Sequence, residues 1–183
     1  MGEPALQAMT ADEFMSWNDG TDTRYELVGG VVVAMAPPTY VHGIIVGNAY
    51  AAVRVALKAR APCQAAVEAG IRLDDANHYK ADGAASCADP VGALYVPDPF
   101  LIVEVLSEST WRDDIGPKLQ SYIELPSVRE IWLVDSRERW VQVWRRSEDC
   151  WIVTLPLRGA ARFASDALGA TIELDVLYRS SGL

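Results

Sequence analysis

Phe100-Leu101-Ile102-Val103-Glu104-Val105-Leu106 is a nearly unbroken apolar run with one carboxylate inside it. A strand packed on one face alternates apolar with polar, whereas a run like this one is the pattern of a central strand buried on both faces. It is also too short for a typical buried helix. A Pro/Gly-rich loop, Asp89 to Pro99, leads into it, and a Ser/Thr-rich turn leads out. The next segment, Arg112 to Leu125, reads as a helix stopped by Pro126.

The neighbouring segments fall into place around this strand. Before it, Ala65 to Leu73 and Tyr79 to Cys87 read as strands joined by the turn Asp74-Asp75-Ala76-Asn77. Further back, Ile45, Ala49, Val53, Ala56 and Leu57 recur at helical spacing between Tyr40 and Arg60. Two short runs, Arg24 to Val28 and Val31 to Met35, flank Gly29-Gly30, a hairpin signal. At the start, Thr10-Ala11-Asp12-Glu13 has the form of a capping box opening a short helix. After Pro126, a second hairpin spans Glu130 to Asp135 and Trp140 to Arg146. Strands follow at Trp151 to Leu155 and near Thr171 to Leu174. The order predicts an α/β (α+β) fold, a mixed β-sheet flanked by helices, in one domain over residues 1–183.

Composition narrows the function. The chain has 183 residues, half of them hydrophobic, which excludes a disordered protein. Its 25 acidic and 16 basic side chains leave a net charge of −9, which argues against a generic basic nucleic-acid binder. Cys63, Cys87 and Cys150 are far apart and odd in number, so three reduced, mostly buried thiols are expected. The first residues carry no basic region followed by an apolar one, and the longest apolar window stops at Pro37-Pro38. The expectation is a soluble cytoplasmic protein with no membrane segment.

Glu104 is the most informative residue, because a carboxylate inside a buried strand costs several kcal/mol unless paired, protonated or bound to a metal. Asp82 lies 22 positions earlier, within the preceding strand. Adjacent antiparallel strands bring the two to one rim of the sheet, where converging carboxylates suit a hard divalent cation. Lys118, one of three lysines against thirteen arginines, lies on the following helix, where its early turns face the strand end. Trp140 and Trp144 share a strand face and point to a packed core or a homodimer interface. Arg137, Arg139, Arg145 and Arg146 make a local basic group on that hairpin, and His78 falls in a turn with no assigned role.

The strings RYELVGGVVVAMAPPTYVHG, YKADGAASC, PFLIVEVLSEST and GPKLQSYIELPSVREIWLVDSRERWVQVWR occur in this order between about Arg24 and Arg146. Together they resemble the Uma-two family, bacterial proteins described as restriction endonucleases of the PD-(D/E)XK nuclease superfamily. The resemblance implies a restriction-endonuclease-like core and a magnesium- or manganese-dependent endonuclease with DNA as substrate. It assigns the family's aspartate to Asp82, its second acidic position to Glu104, and its displaced lysine to Lys118. Glu26 matches a further acidic position, and His42 a histidine at the start of the long helix. The implied metal ligands are Asp82, Glu104 and the Val105 carbonyl; the implied catalytic set is Asp82, Glu104, Lys118 and Glu26. Ala81 stands where the family has proline, and Lys80 where it has arginine. The alternatives are a non-catalytic or partner-dependent module of the same fold and a hydrolase of smaller phosphoesters.

Overall fold

In the computed structural model, which describes residues 8–107 and 115–183, Thr10 caps the first helix, α1 (Ala11–Ser16). The Thr10 hydroxyl accepts from the Glu13 amide at 3.3 Å, and the Glu13 carboxylate accepts from the Thr10 amide at 2.8 Å, the reciprocal box read from the sequence. The hairpin β1 (Tyr25–Val28) and β2 (Val31–Ala34) turns on Gly29 and Gly30, whose φ values of 57° and 80° a two-residue hairpin turn of this hand requires. Thr39 then caps α2 (Tyr40–Leu57) by accepting from the His42 amide. Residues 1–7 and 108–114 lie outside the described residues, and with them Ser109, Thr110 and the predicted helix start, Arg112 to Asp114.

Strands β3 (Gln64–Arg72) and β4 (His78–Ser86) form a long antiparallel ladder, followed by β5 (Leu101–Leu106), every residue of which is buried. Helix α3 (Ile115–Glu124) follows, and then β6 (Glu130–Asp135) and β7 (Trp140–Arg146). Strand β6 runs parallel to β5, so the chain needs a crossover between them, and α3 supplies it. Short strands β8 (Trp151–Val153) and β9 (Leu157–Arg158) pair with β7. Strands β10 (Arg162–Ser165) and β11 (Ala170–Glu173) make a separate hairpin, and the turn-length helix α4 (Leu174–Leu177) ends the chain. Among the described residues the main sheet has the order β2-β1-β4-β5-β6-β7-β8, with β3 on β4 and β9 on β7. This is the mixed sheet expected, with β9, β10 and α4 added.

Two apolar clusters cover the two faces of the sheet. On one face, Ile45, Ala49, Val53 and Leu57 of α2 pack with Leu101, Val103, Val105 and Trp132, and the β10–β11 hairpin adds Phe163 and Ile172. On the other, Tyr122 of α3 packs with Ile71, Tyr79, Ile102, Leu106 and Ile131. Burying one large aliphatic side chain is worth about 1.5–3 kcal/mol, so one face of α2 is enough to hold it. By length and composition α2 passes for a membrane span, with a mean hydropathy of 1.2, which the search for an unbroken apolar run misses. Its buried stripe faces the sheet.

Two expectations are corrected. Cys63 and Cys87 are joined in a disulfide, and Cys150 is exposed, so the three are not reduced buried thiols. The pairing of β3 with β4 explains the bond: Gln64 lies opposite Ser86, and the two cysteines continue that register by one step. The arginines of the second hairpin are not a free basic surface either. Arg137 pairs with Asp135, Arg139 with Asp175, and Arg145 with Glu130. Arg146 donates to the carbonyls of Ile123, Leu125 and Val128 and stacks over Trp151 at 4.6 Å. The tryptophans belong to the core: Trp132 and Trp140 are buried, one in each cluster, with Trp144 packed beside Trp140.

Candidate active site

The site grows out of a gap in the sheet. Strand β3 runs along the whole of one edge of β4, from His78 to Ser86. The other edge of β4 is shared: β1 meets it at His78, and β5 from Gly83 to Ala85. Between them Tyr79 to Asp82 have no strand partner on that edge. An unpaired buried peptide group costs as much as a lost hydrogen bond, and here side chains fill the vacancy. The Glu26 carboxylate accepts from the Lys80 amide at 2.7 Å, and the Lys118 ammonium donates to the Lys80 carbonyl at 3.0 Å. Where β5 diverges from β4, the Asp82 carboxylate accepts from the Val105 amide at 2.7 Å. The residues singled out by sequence therefore stand in for missing ladder bonds.

The pleat itself slips at Asp82. The β3–β4 register omits the Glu68–Asp82 position, and Glu68 takes φ = 48°. Ala81 and Ala84 both join the α3-side cluster, and Ala66 and Ala69 do the same on β3. Three residues is an odd step, which in a regular strand puts side chains on opposite faces. Asp82, one step past Ala81, faces the α2 side, where His42 Nε2 lies 3.3 Å from its Oδ2.

Charge is concentrated here. Lys118 bridges Glu26 at 2.9 Å and Glu104 at 3.1 Å; the three side chains are 15%, 16% and 7% exposed. Burial alone would lower the Lys118 pKa, but the two carboxylates overcome that and hold it above the usual lysine value. Burial pushes the Glu104 carboxyl up to about 7; Lys118 opposes the shift, and the Asp82 and Glu26 charges add to it. Burial would likewise lower His42, yet its hydrogen bond to Asp82 and the Asp82 charge leave it raised. Three carboxylates against one lysine leave the site with excess negative charge.

Sequence reading overlooked Tyr122 as a site residue. Its buried hydroxyl donates to Glu104 Oε1 at 2.7 Å, and burial together with the Glu104 charge raises its pKa well above the usual tyrosine value. The signal was spacing: Tyr122 is four residues after Lys118, so both side chains leave the same face of α3. Tyr122→Phe should lower stability by about 1.5 kcal/mol, the net worth of one hydrogen bond to a charged group. Urea denaturation would check it, and an unchanged midpoint would mean that the hydroxyl does not hold Glu104. The remaining predicted residues fall as follows. Glu26, which alone reads equally as an exposed hairpin carboxylate, is mostly buried against Lys118. His78 is the first residue of β4 rather than a turn residue, buried beside Phe14 with a pKa lowered by burial.

Whether the donor set suits a divalent cation can be judged from these contacts. Its atoms are hard carboxylate oxygens, and ionised Glu104 is disfavoured first by burial and further by the Asp82 and Glu26 charges, which a cation would relieve. Among the described residues no group of three or more His, Cys, Asp or Glu side chains stands ready to hold a metal. The chemistry fits magnesium or manganese, with the Lys118 ammonium at present spanning two of the carboxylates.

A mixed sheet forked at an acidic rim, with a lysine returning on the crossover helix, defines a protein of the restriction-endonuclease-like fold. A putative nuclease belonging to DUF820 from Anabaena variabilis, known from its crystal structure, has the same architecture. It superposes with a TM-score of 0.74 over 93% of this chain and 97% of its own, at 18% identity. The chain belongs to the Uma2 family, described as "Putative restriction endonuclease", whose pattern it matches over residues 11–176. That span is wider than the 24–146 read from the strings. The chain is also 22% identical to an uncharacterized protein of Synechocystis sp., over 93% of this chain and 92% of the relative.

Proposed function

We propose that the protein is a metal-dependent endonuclease that hydrolyses phosphodiester bonds in DNA. The observation that carries the reading is Lys118 held between Glu26 and Glu104, beside Asp82 at the fork of β4 and β5. Family membership supports a nuclease-like activity; DNA as substrate and the dependence on a cation are our own steps. Asp82 and Glu104, with the Val105 carbonyl, would hold magnesium or manganese, and Glu26 would support them. When bound, such a cation polarises a phosphate oxygen and lowers the pKa of a water.

The chain's own residues do the rest. The Val105 amide fixes Asp82, and the Tyr122 hydroxyl fixes Glu104, so neither carboxylate has to be ordered when substrate arrives. The Lys118 ammonium is mostly buried and already charged. It is placed to orient the attacking water or to neutralise charge that develops on the phosphate.

Purified protein should nick plasmid or cut single-stranded DNA with magnesium or manganese, and Glu104→Ala should abolish the cleavage. Equal behaviour of wild type and variant would sink the reading. One observation favours a second reading, a non-catalytic module of the same fold: the net charge of −9 discourages a polyanion. Calorimetric titration with manganese separates the two, since binding that is indifferent to Asp82 and Glu104 points to the module. A hydrolase of smaller phosphoesters, which needs no basic groove, would instead cleave a chromogenic phosphodiester and spare DNA.

A further inference from the structure

Most arginines of this acidic chain are tied to carboxylates or carbonyls remote from the site, as in the second hairpin. Arg24 and Lys80 differ. Arg24 immediately precedes β1, two residues before Glu26, and Lys80 lies on β4, two residues before Asp82, with its own amide bonded to the Glu26 carboxylate. Both therefore line the same rim as the site carboxylates. Both are also held by one side chain, Glu68, which pairs with Arg24 and lies 3.5 Å from Lys80. Glu68 is 51% exposed, against 27% for Arg24 and 29% for Lys80. Its backbone has φ = 48°, which costs a non-glycine residue free energy and persists where the surroundings impose it, often at functional positions.

An exposed ion pair contributes little to stability, so the strained glutamate is poorly explained as a brace. A carboxylate held across two cations occupies the place a phosphate would take, since arginine binds carboxylate and phosphate through the same fork. We propose that Arg24 and Lys80 form a second phosphate-binding position beside the candidate active site, and that Glu68 fills it until the backbone of a nucleic-acid strand displaces its carboxylate. The inference rests on the nuclease reading for its substrate class. It gives Glu68 a sign opposite to that of a structural ion pair: removing its charge improves binding.

The test is fluorescence anisotropy of an end-labelled single-stranded oligonucleotide with the full chain, in EDTA so that no cleavage intervenes, over a salt series. Glu68→Gln should tighten binding by about threefold or more at low salt, and Arg24→Gln and Lys80→Gln should each weaken it and lower the salt slope by about one. Glu68→Ala, which keeps no polar group, should act in the same direction as Glu68→Gln and guards against a folding defect in either variant. Unchanged or weaker binding by both Glu68 variants overturns the proposal, as does an absence of binding by all proteins. Metal-dependent cleavage that Glu104→Ala abolishes, together with silent Glu68 variants, would remove this inference and leave the nuclease. Responsive Glu68 variants without any cleavage would do the reverse.

Discussion

Lys118→Met should cost about 3–5 kcal/mol of folding stability at pH 8, the penalty for removing one partner of a buried ion pair. The lysine is the sole ammonium contact of both Glu26 and Glu104 among the described residues, and it also satisfies the Lys80 carbonyl. Without it, Glu26 and Glu104 would stay largely buried with no ammonium beside them, and Glu104 would keep only the Tyr122 hydroxyl. The cost should shrink at pH 5, because Glu104, whose carboxyl burial pushes up to about 7, is then protonated and needs no cation. Urea denaturation of both proteins at the two pH values would measure it, and a loss of less than about 1 kcal/mol at pH 8, ordinary for a surface pair, would show Lys118 to be solvated. Adding Glu104→Gln to Lys118→Met should recover part of the loss, as contacting residues are not additive.

Glu104→Gln alone should make the metal-free protein more stable at neutral pH while ending any cleavage. In the unfolded chain this carboxyl gives up its proton near 4.5; in the fold burial holds the proton to about 7. Between those values ionisation favours the unfolded chain. The stability tied to Glu104 is therefore present below pH 4.5 and is lost as pH rises through 7, a change on the order of 3 kcal/mol. In EDTA, the wild-type urea midpoint should fall relative to Glu104→Gln as pH goes from 4.5 to 7.5. Parallel profiles would mean that Glu104 is already compensated by Lys118. His78, lowered by its own burial, acts in the opposite sense, losing stability as pH falls below 6.5, and cancels in the comparison.

Much of this was legible in the chain before any coordinates. The apolar run around Glu104, both hairpins and the spacing of Ile45, Ala49, Val53 and Leu57 fixed the central elements, because each depends on a local period. Glu104 announced itself as a charge where the pattern allows none. The features that escaped depend on register. Cys63 and Cys87 meet only because β3 and β4 pair as they do, 24 residues apart. Glu68 reaches Arg24 and Lys80 for the same reason, at a slip in the pleat that no periodicity reveals. Strands β9 and β10 and helix α4 are too short to carry a period. The arginines of the second hairpin looked free because their partners lie in carbonyls and distant carboxylates.

The side chains that complete the β4 edge are Glu26 of β1 and Lys118 of α3, 92 positions apart along the chain, while Asp82 of β4 itself takes the Val105 amide of β5. During synthesis the acidic members emerge first, and the lysine that neutralises two of them follows only with α3. A chain whose α3 has not docked therefore lacks the lysine that completes the constellation. For a nuclease of the kind proposed, assembly of the fold would itself serve as the safety catch.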